Sequence, residues 1–369
     1  MRILFYLPKS IRVGGGGEIW LQEVSNRLLR KGHNISIFAL NYAPNIRLRD
    51  LELKKGIQYS EYHFLKPPRG YAIPSPNALD KLVELINSSD VLYFFTPHIP
   101  NELILKIIKV RLKRPMISGF HSHPENGGLL NRMLLRFSLK IFVAFHVLNN
   151  YTYNILIRWG CDYVYKIPNG VNTQRFRLCE CPSGSRPFNV LFTGRLTEDK
   201  GVDDLMKIIR YVNEKLKIQD IKFTIAGSGP LEDTVKTVAQ KYKNVDYLGF
   251  VNPEVISKIY MNANLFLIPS KTEGMPSSLL EAQSCGLPVI GSKIPGISDV
   301  VVNGETGCLV NVGDVRGFAE AIKKYYELWR ASPEEYYNMN KAIREHIIRN
   351  YDWNIIIDRL EVMFKSLIT

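Results

Sequence analysis

Short apolar runs of strand length alternate with amphipathic segments of helix length from the first residues onward. That alternation restricts the chain to α/β architectures with mainly parallel sheets. RILFYL (2–7) leads into a helical pattern over 17–31 that stops at Gly32, and HNISIFAL, VLYFFT, PMISGF and IFVAFHVL repeat the theme. After KIPNGVNTQRF the pattern fails at RLCECPSGSRPF, a polar stretch with Pro and Gly that reads as a connection. It then restarts. NVLFTG, KFTIAG, VDYLGF, NLFLIP and LPVIGS alternate with helical segments, and helical patterns near 314–330, 333–349 and 352–367 end the chain. Two such cycles in 369 residues predict two Rossmann-like, doubly wound domains facing a central cleft. The expected limits are 1–168, a linker over 169–187, and 188–351, with a last helix near 352–369 packing back on the first domain. Ligands of such sheets sit beyond the carboxyl ends of the strands, so the informative residues lie in the loops that follow strands.

Composition excludes several alternatives. Cys161, Cys179, Cys181, Cys285 and Cys308 are odd in number and scattered, so they set up no disulfide framework, and Cys179 and Cys181 lack a second pair at zinc spacing. No apolar run reaches the roughly 18 residues of a membrane span, and the first one is too short for a signal core. The expected location is cytoplasmic, with peripheral attachment to the inner face of a membrane kept open. Charge is lopsided: residues 1–165 hold 22 Lys/Arg against 11 Asp/Glu, and 166–369 hold 26 against 24. A basic first half attracts something anionic. In it, LILKIIKVRLKRP places Lys106, Lys109 and Lys113 at helical spacings with Arg111 and Arg114 beside them. GGLLNRMLLRFSLK places Arg132, Arg136 and Lys140 four apart on one helix face, and Leu129, Leu130, Met133, Leu134 and Phe137 form its apolar side. Such a helix suits an anionic lipid surface if its apolar side is free, and an ordinary sheet contact if it is not. A nucleic-acid partner is not expected, because the basic runs are helical rather than interleaved with aromatic residues.

Three loops could carry chemistry. Gly14–Gly17 in RVGGGGEIW follow the first strand and open the first helix, where free backbone N–H groups favour an anion. The spacing is not a dinucleotide fingerprint. In TGRLTEDKG, Arg195 and Lys200 stand between Gly194 and Gly201, and two cations in one strand-to-helix loop can clamp a diphosphate. In EGMPSSLLE, Glu273 lies just past a strand, Ser277 and Ser278 at a helix start able to receive phosphate, and Glu281 in the first turns, able to accept from vicinal hydroxyls.

These motifs, in this order, resemble the retaining glycosyltransferases of family 4, which have the GT-B fold. Their hallmark E-x7-E is Glu273 to Glu281, followed here by AQSCGLPVI; the glycine loop with Glu18, RKGHNISIF, KIPNGVNTQRF, FTGRLTEDKG, IAGSGPLE and LGFVNPE complete the set. The resemblance covers nearly the whole chain. It implies that Arg195 and Lys200 hold the donor diphosphate, that Glu273 lies near the transferred sugar and that Glu281 lies on the donor ribose. It places Phe250 and Val251 against the nucleobase and Gly15, Gly16 and Gly17 near the phosphate and acceptor. His121, which fits better than the neighbouring His123, faces the reacting sugar. His33 and His98 are expected to be structural. One departure is that Met275 and Pro276 follow Gly274 where many members have an aromatic residue and glycine. Proline has no N–H, so the amides of Met275, Ser277 and Ser278 must serve the phosphates.

The implied reaction moves a hexose from a UDP- or GDP-linked sugar to a saccharide or lipid-linked acceptor with retention, in cell-surface polysaccharide or glycoconjugate synthesis. No Asp-x-Asp motif is evident, and no cofactor or metal is expected. The competing readings are a nucleotide-sugar epimerase on the same frame and a non-catalytic nucleotide-sugar or polyanion-binding protein.

Overall fold

The computed structural model describes residues 1–11, 16–42, 53–65, 72–122, 124, 128–178 and 187–368. The chain forms two compact units, Met1–Asn169 with Ile356–Thr369, and Gly170–Ile355.

In the first unit the strands are β1 (Arg2–Leu7), β2 (Asn34–Leu40), β3 (Gln58–Tyr62), the short antiparallel pair β4 (Phe64–Leu65) and β5 (Ile73–Pro74), β6 (Val91–Thr96), β7 (Met116–Phe120), β8 (Ala144–Val147) and β9 (Val164–Lys166). Seven of them form one parallel sheet in the order β3-β2-β1-β6-β7-β8-β9. The helices between strands are α1 (Gly16–Arg30), α2 (Pro76–Ser88), α3 (Ile99–Ile107), α4 (Leu129–Ser138) and α5 (Asn150–Arg158). Local signals start them: Ser75 accepts from Ala78 N ahead of Pro76, and Asn149 Oδ1 accepts from Thr152 N at 2.8 Å. VLYFFT is apolar through its first five residues because β6 sits mid-sheet with both faces covered.

The second unit holds β10 (Phe188–Thr193), β11 (Ile221–Ala226), β12 (Val245–Tyr247), β13 (Leu265–Ile268), β14 (Val289–Ser292) and β15 (Gly307–Val310). They make a six-stranded parallel sheet in the order β12-β11-β10-β13-β14-β15. Its helices are α6 (Val202–Tyr211), α7 (Glu232–Lys241), α8 (Pro253–Met261), α9 (Ser277–Ser284), α10 (Val315–Ala331) and α11 (Pro333–Tyr351). The strand order reverses between β10 and β13, and the crevice of an open α/β sheet opens at such a point.

The last helix, α12 (Trp353–Lys365), begins in the second unit and continues into the first. There Phe364 packs edge-on against Phe5, and Glu361 accepts from Lys31 Nζ at 2.6 Å and Lys365 Nζ at 2.7 Å. Those two ammonium groups hold the Glu361 carboxyl down near pKa 2. His33 joins the same cluster, with Nε2 at 3.2 Å from Glu361. Gly170–Leu178, inside the stretch expected as a linker, are packed in the second unit. Val171 bridges Asp352, Phe176 is buried, and Arg344 donates to the carbonyls of Thr173 (2.9 Å) and Phe176 (2.7 Å). The remainder of that stretch, 179–186, lies outside the described residues.

Candidate active site

In the second unit, the loops that follow β10, β11 and β13 are tied together through their backbones. Gly194 N donates to Ala226 O at 3.1 Å, Leu196 N to Ser228 O at 2.9 Å, and Lys271 N to Asp199 O at 2.8 Å. Gly201 has φ +68°, and a Cβ there would stand 1.9 Å from Pro269 O, so the loop carrying Lys200 can lie against the β13 loop only with glycine at 201. This contact sets the central feature of the site. Glu273 is 8% exposed, and its Oε1 accepts from Lys200 Nζ at 2.7 Å and from Ser270 Oγ at 2.8 Å. Arg195, on the same loop as Lys200, behaves differently. Its side chain is 70% exposed and meets Asp199 at 3.7 Å.

Past Glu273 the chain runs through the buried Met275 and Pro276 into α9. Ser277 and Ser278 are the first two residues of that helix, so their N–H groups have no partner within it. Glu281 is one turn further along, half-buried, beside the phenol of Tyr260. Burial, and after it the Glu281 charge, raises the Tyr260 phenol well above its ordinary pKa, so it stays protonated and can donate. Tyr260 OH also meets Thr193 Oγ1 at 2.5 Å, which connects Glu281 to the end of β10. Phe250, 56% exposed, and the half-buried Val251 follow Gly249 beyond β12.

In the first unit, His121 follows β7 directly and sits in an aromatic box. The Phe95 ring stacks on it at 4.8 Å and Trp20 meets it edge-on at 4.6 Å. A chain of hydrogen bonds runs behind it. His146 Nε2 lies 2.8 Å from Ile167 O, His146 Nδ1 lies 2.6 Å from Tyr93 OH, and Tyr93 OH lies 3.0 Å from His121 Nε2. A carbonyl only accepts, so His146 Nε2 carries the proton. Burial pushes the His146 pKa down to about 4, so the ring is neutral and its Nδ1 accepts from the Tyr93 hydroxyl. The Tyr93 oxygen then accepts from His121 Nε2–H. Burial, with smaller contributions from His146 and Lys9, lowers the His121 pKa well below the usual range. His121 is therefore neutral, with its proton on Nε2 and a lone pair on Nδ1. Gly119 makes room for this: a Cβ at 119 would overlap the Tyr93 hydroxyl at 1.9 Å.

Two family profiles match the chain, "Glycosyltransferase Family 4" over residues 14–175 and "Glycosyl transferases group 1" over 182–346. The chain belongs to the group 1 glycosyltransferases of GT-B fold. CapM of Staphylococcus aureus, a capsular polysaccharide biosynthesis glycosyltransferase, is 28% identical over 214 residues, 54% of this chain and 53% of that protein. The GDP-mannose-dependent monoacylated alpha-(1-6)-phosphatidylinositol monomannoside mannosyltransferase of Corynebacterium glutamicum is 26% identical over 332 residues, 83% of this chain and 84% of that one. The solved structure of Anabaena HepE in complex with UDP matches with a TM-score of 0.77 at 16% identity and covers 100% of both chains, a likeness of fold. The chain spans about half the length of several curated relatives it matches, CapM among them.

For this group 1 member, the structure brings Arg195, Lys200, Glu273, Ser277, Ser278 and Glu281 to one end of the second sheet. It separates the two cations that the sequence presents as equals, since Lys200 is paired at 2.7 Å with a buried carboxylate and Arg195 is largely exposed, 3.7 Å from Asp199. Gly16 and Gly17 begin α1, while Gly15 and His123 lie outside the described residues. His98 Nδ1 meets Asn101 Nδ2 at 2.6 Å, and burial lowers its pKa to about 4, in line with a structural role. Among the described residues, no cluster of three or more His, Cys, Asp or Glu is placed to hold a metal ion. Sequence reasoning missed Tyr93, His146, Ser270 and Tyr260. A glycine inside the strand MISGF was an available signal, because glycine in a strand marks close approach by another group.

Proposed function

We propose that the chain transfers a hexose from a nucleotide diphosphate sugar to a saccharide or glycolipid acceptor with retention of anomeric configuration. The observation that carries this reading is the Lys200–Glu273 pair, which joins the β10 and β13 loops at the point where the strand order reverses. An ammonium held there, an exposed guanidinium on the same loop and the open amides of α9 are the parts a departing diphosphate requires. In this reading Arg195 and Lys200 take the diphosphate, with Met275, Ser277 and Ser278 contributing backbone N–H groups. Glu281 accepts from the donor ribose, and Phe250 and Val251 lie along the base. Glu273 meets the transferred sugar, and the family resemblance gives His121 the same partner.

The acceptor hydroxyl attacks the anomeric carbon on the face from which the β-phosphate leaves. The bond from that carbon to the phosphate oxygen breaks, a bond to the acceptor oxygen forms, and the leaving phosphate takes the acceptor's proton. Negative charge grows on the β-phosphate as it departs, where the two cations act most strongly. No divalent ion is assigned a step. Incubating the protein with UDP- and GDP-sugars, with and without saccharide and glycolipid acceptors and with a chelator present, tests this reading. Acceptor-dependent release of one nucleoside diphosphate is expected. Interconversion of the sugar without an acceptor would replace transfer by epimerisation.

A further inference from the structure

The first unit exposes a group of large apolar side chains on two adjoining elements. On α4, Leu135 and Ser138 face inward, while Leu129 (75% exposed), Leu130 (68%), Met133 (62%) and Phe137 (53%) face outward. Next to them, Ile107 is 77% exposed and Val110 91%. Lys106 at the end of α3 joins the two elements, since its Nζ donates to Phe137 O at 2.8 Å and sits 3.1 Å from the centre of the Phe137 ring. The outward side of α4 is thus the side the sequence left open, and it does not pack on the sheet. Contiguous apolar exposure of this kind marks an interaction surface.

Its rim is basic. Residues 103–143 carry eight Lys/Arg and one carboxylate, Glu125. Arg132 and Arg136 are exposed along α4, as are Lys140 in the 3-10 turn that follows it and Arg111 and Lys113 beyond α3. Helix α3 stops at Ile107 and passes into a 3-10 turn over Ile108–Arg111, so Lys113 is presented from the segment after it rather than from the same helix face. Arg111 has a carboxylate of its own, Asp80, at 3.0 Å.

We propose that this face docks on an anionic membrane, with Leu129, Leu130, Met133 and Phe137 entering the headgroup boundary and the surrounding cations meeting acidic lipid. An apolar centre with a cationic rim is the composition of an interfacial helix, and the long Lys and Arg side chains can keep their charge at the headgroups while the apolar groups go deeper. Charge selects this occupant over the others. A second copy of the chain would bring the same cations together. A soluble polyanion would use the cations and leave four large apolar groups in water. A nucleic-acid strand would need a row of stacking aromatics, and among the described residues the face offers Phe137 alone. The inference stands apart from the transfer reaction, because binding to vesicles needs no nucleotide sugar.

Co-sedimentation of the full chain with vesicles tests it. Binding is expected to vesicles containing phosphatidylglycerol, to be absent with phosphatidylcholine alone, and to weaken as salt rises. Changing Arg132, Arg136 and Lys140 together to Gln should lower the affinity for anionic vesicles about a hundredfold. Changing Leu129, Leu130 and Met133 together to Ser leaves the charge untouched and should also abolish sedimentation. All six side chains are exposed, so the unfolding midpoint should not move. The proposal is overturned if wild type fails to bind anionic vesicles at low salt. It is equally overturned if the Ser variant binds them as wild type does, which would make this a site for polyanions, or if the face instead mediates self-association without binding vesicles.

Discussion

The sheets of the two units follow one plan, yet their carboxyl ends hold polar groups by opposite means. At the first sheet, His121 is neutral, boxed by Phe95 and Trp20, and oriented by a relay that ends on a backbone carbonyl. At the second, Lys200 and Glu273 face each other as an ion pair with Ser270 behind the carboxylate. A neutral relay fixes the direction of a hydrogen bond and is insensitive to salt. An ion pair stores charge that an incoming anion can draw on, because Lys200 can turn toward a phosphate while Ser270 still satisfies part of Glu273. In the proposed reaction the neutral end would orient the uncharged sugar, and the ionic end would receive the charged leaving group.

The largest expected effects come from breaking the ionic end. Arg195→Ala and Lys200→Ala should each cut turnover by at least about 10²-fold, the size expected for losing a partner of transition-state charge. Stability separates them. Arg195 is exposed with one distant partner, so its removal should change unfolding free energy by less than about 0.5 kcal/mol. Lys200→Ala leaves a nearly buried carboxylate with only a hydroxyl, a loss of about 3 kcal/mol. Urea unfolding measures this, and adding Glu273→Gln to Lys200→Ala should recover much of it. Equal stability of the two single variants would mean that the ion pair has no structural weight.

Breaking the neutral end should show as pH dependence. His146 has a folded pKa of about 4 against an ordinary 6.5, so between those values the unfolded chain binds more protons. Its contribution is therefore complete above pH 6.5 and falls as pH drops toward 4. From neutral pH to pH 5 the loss is about 2 kcal/mol. His121, also depressed, acts in the same direction. In His146→Gln the slope of unfolding free energy between pH 5 and 7 should be shallower than in wild type. Tyr93→Phe removes the hydroxyl that joins the rings and leaves His146 Nδ1 without its donor, at a cost of about 1–3 kcal/mol. Imidazole 15N shifts should report His121 as the Nε2–H tautomer in wild type and as a mixture in Tyr93→Phe. A mixture already present in wild type would remove the relay.

The same contrast explains what the sequence made legible. The doubly wound plan could be read because central strands such as RILFYL and VLYFFT are apolar on both faces and punctuated by glycine. Besides the two-residue strands β4 and β5, the missed strands β3, β9 and β15 are edge strands, and β3 and β9 have no fully buried residue, so no apolar run announces them. The ionic end was legible because its residues sit within two short motifs, TGRLTEDKG and EGMPSSLLE. Which cation would be held could not be read, since that depends on Gly201 allowing the β13 carbonyl to approach. The neutral end was invisible apart from His121. Tyr93, Gly119, His146 and Ile167 come from different strands and meet only after the sheet has formed. The exposed side of α4 was likewise open in sequence, because its periodicity gives the existence of an apolar side but not what faces it.

The smallest expected effect divides the carboxylates of the second unit from each other. Glu281 is half-buried and meets the Tyr260 phenol, and the proposed function assigns it the donor ribose. Glu273 is committed to Lys200 and Ser270, beside the loop that the proposed function gives to the diphosphate. If Glu281 takes the ribose, Glu281→Ala should weaken the bare nucleoside diphosphate and the nucleotide sugar alike, by about tenfold, the value of one hydrogen bond to a charged group. Glu273→Gln keeps the size of the side chain and should leave the bare nucleotide nearly unaffected while weakening the nucleotide sugar, since only the sugar reaches it. Calorimetry with both ligands on both variants reads the four affinities. Parallel losses across all four would mean that the two carboxylates act together in shaping the β13–α9 loop, and the separate assignments to ribose and sugar would fall.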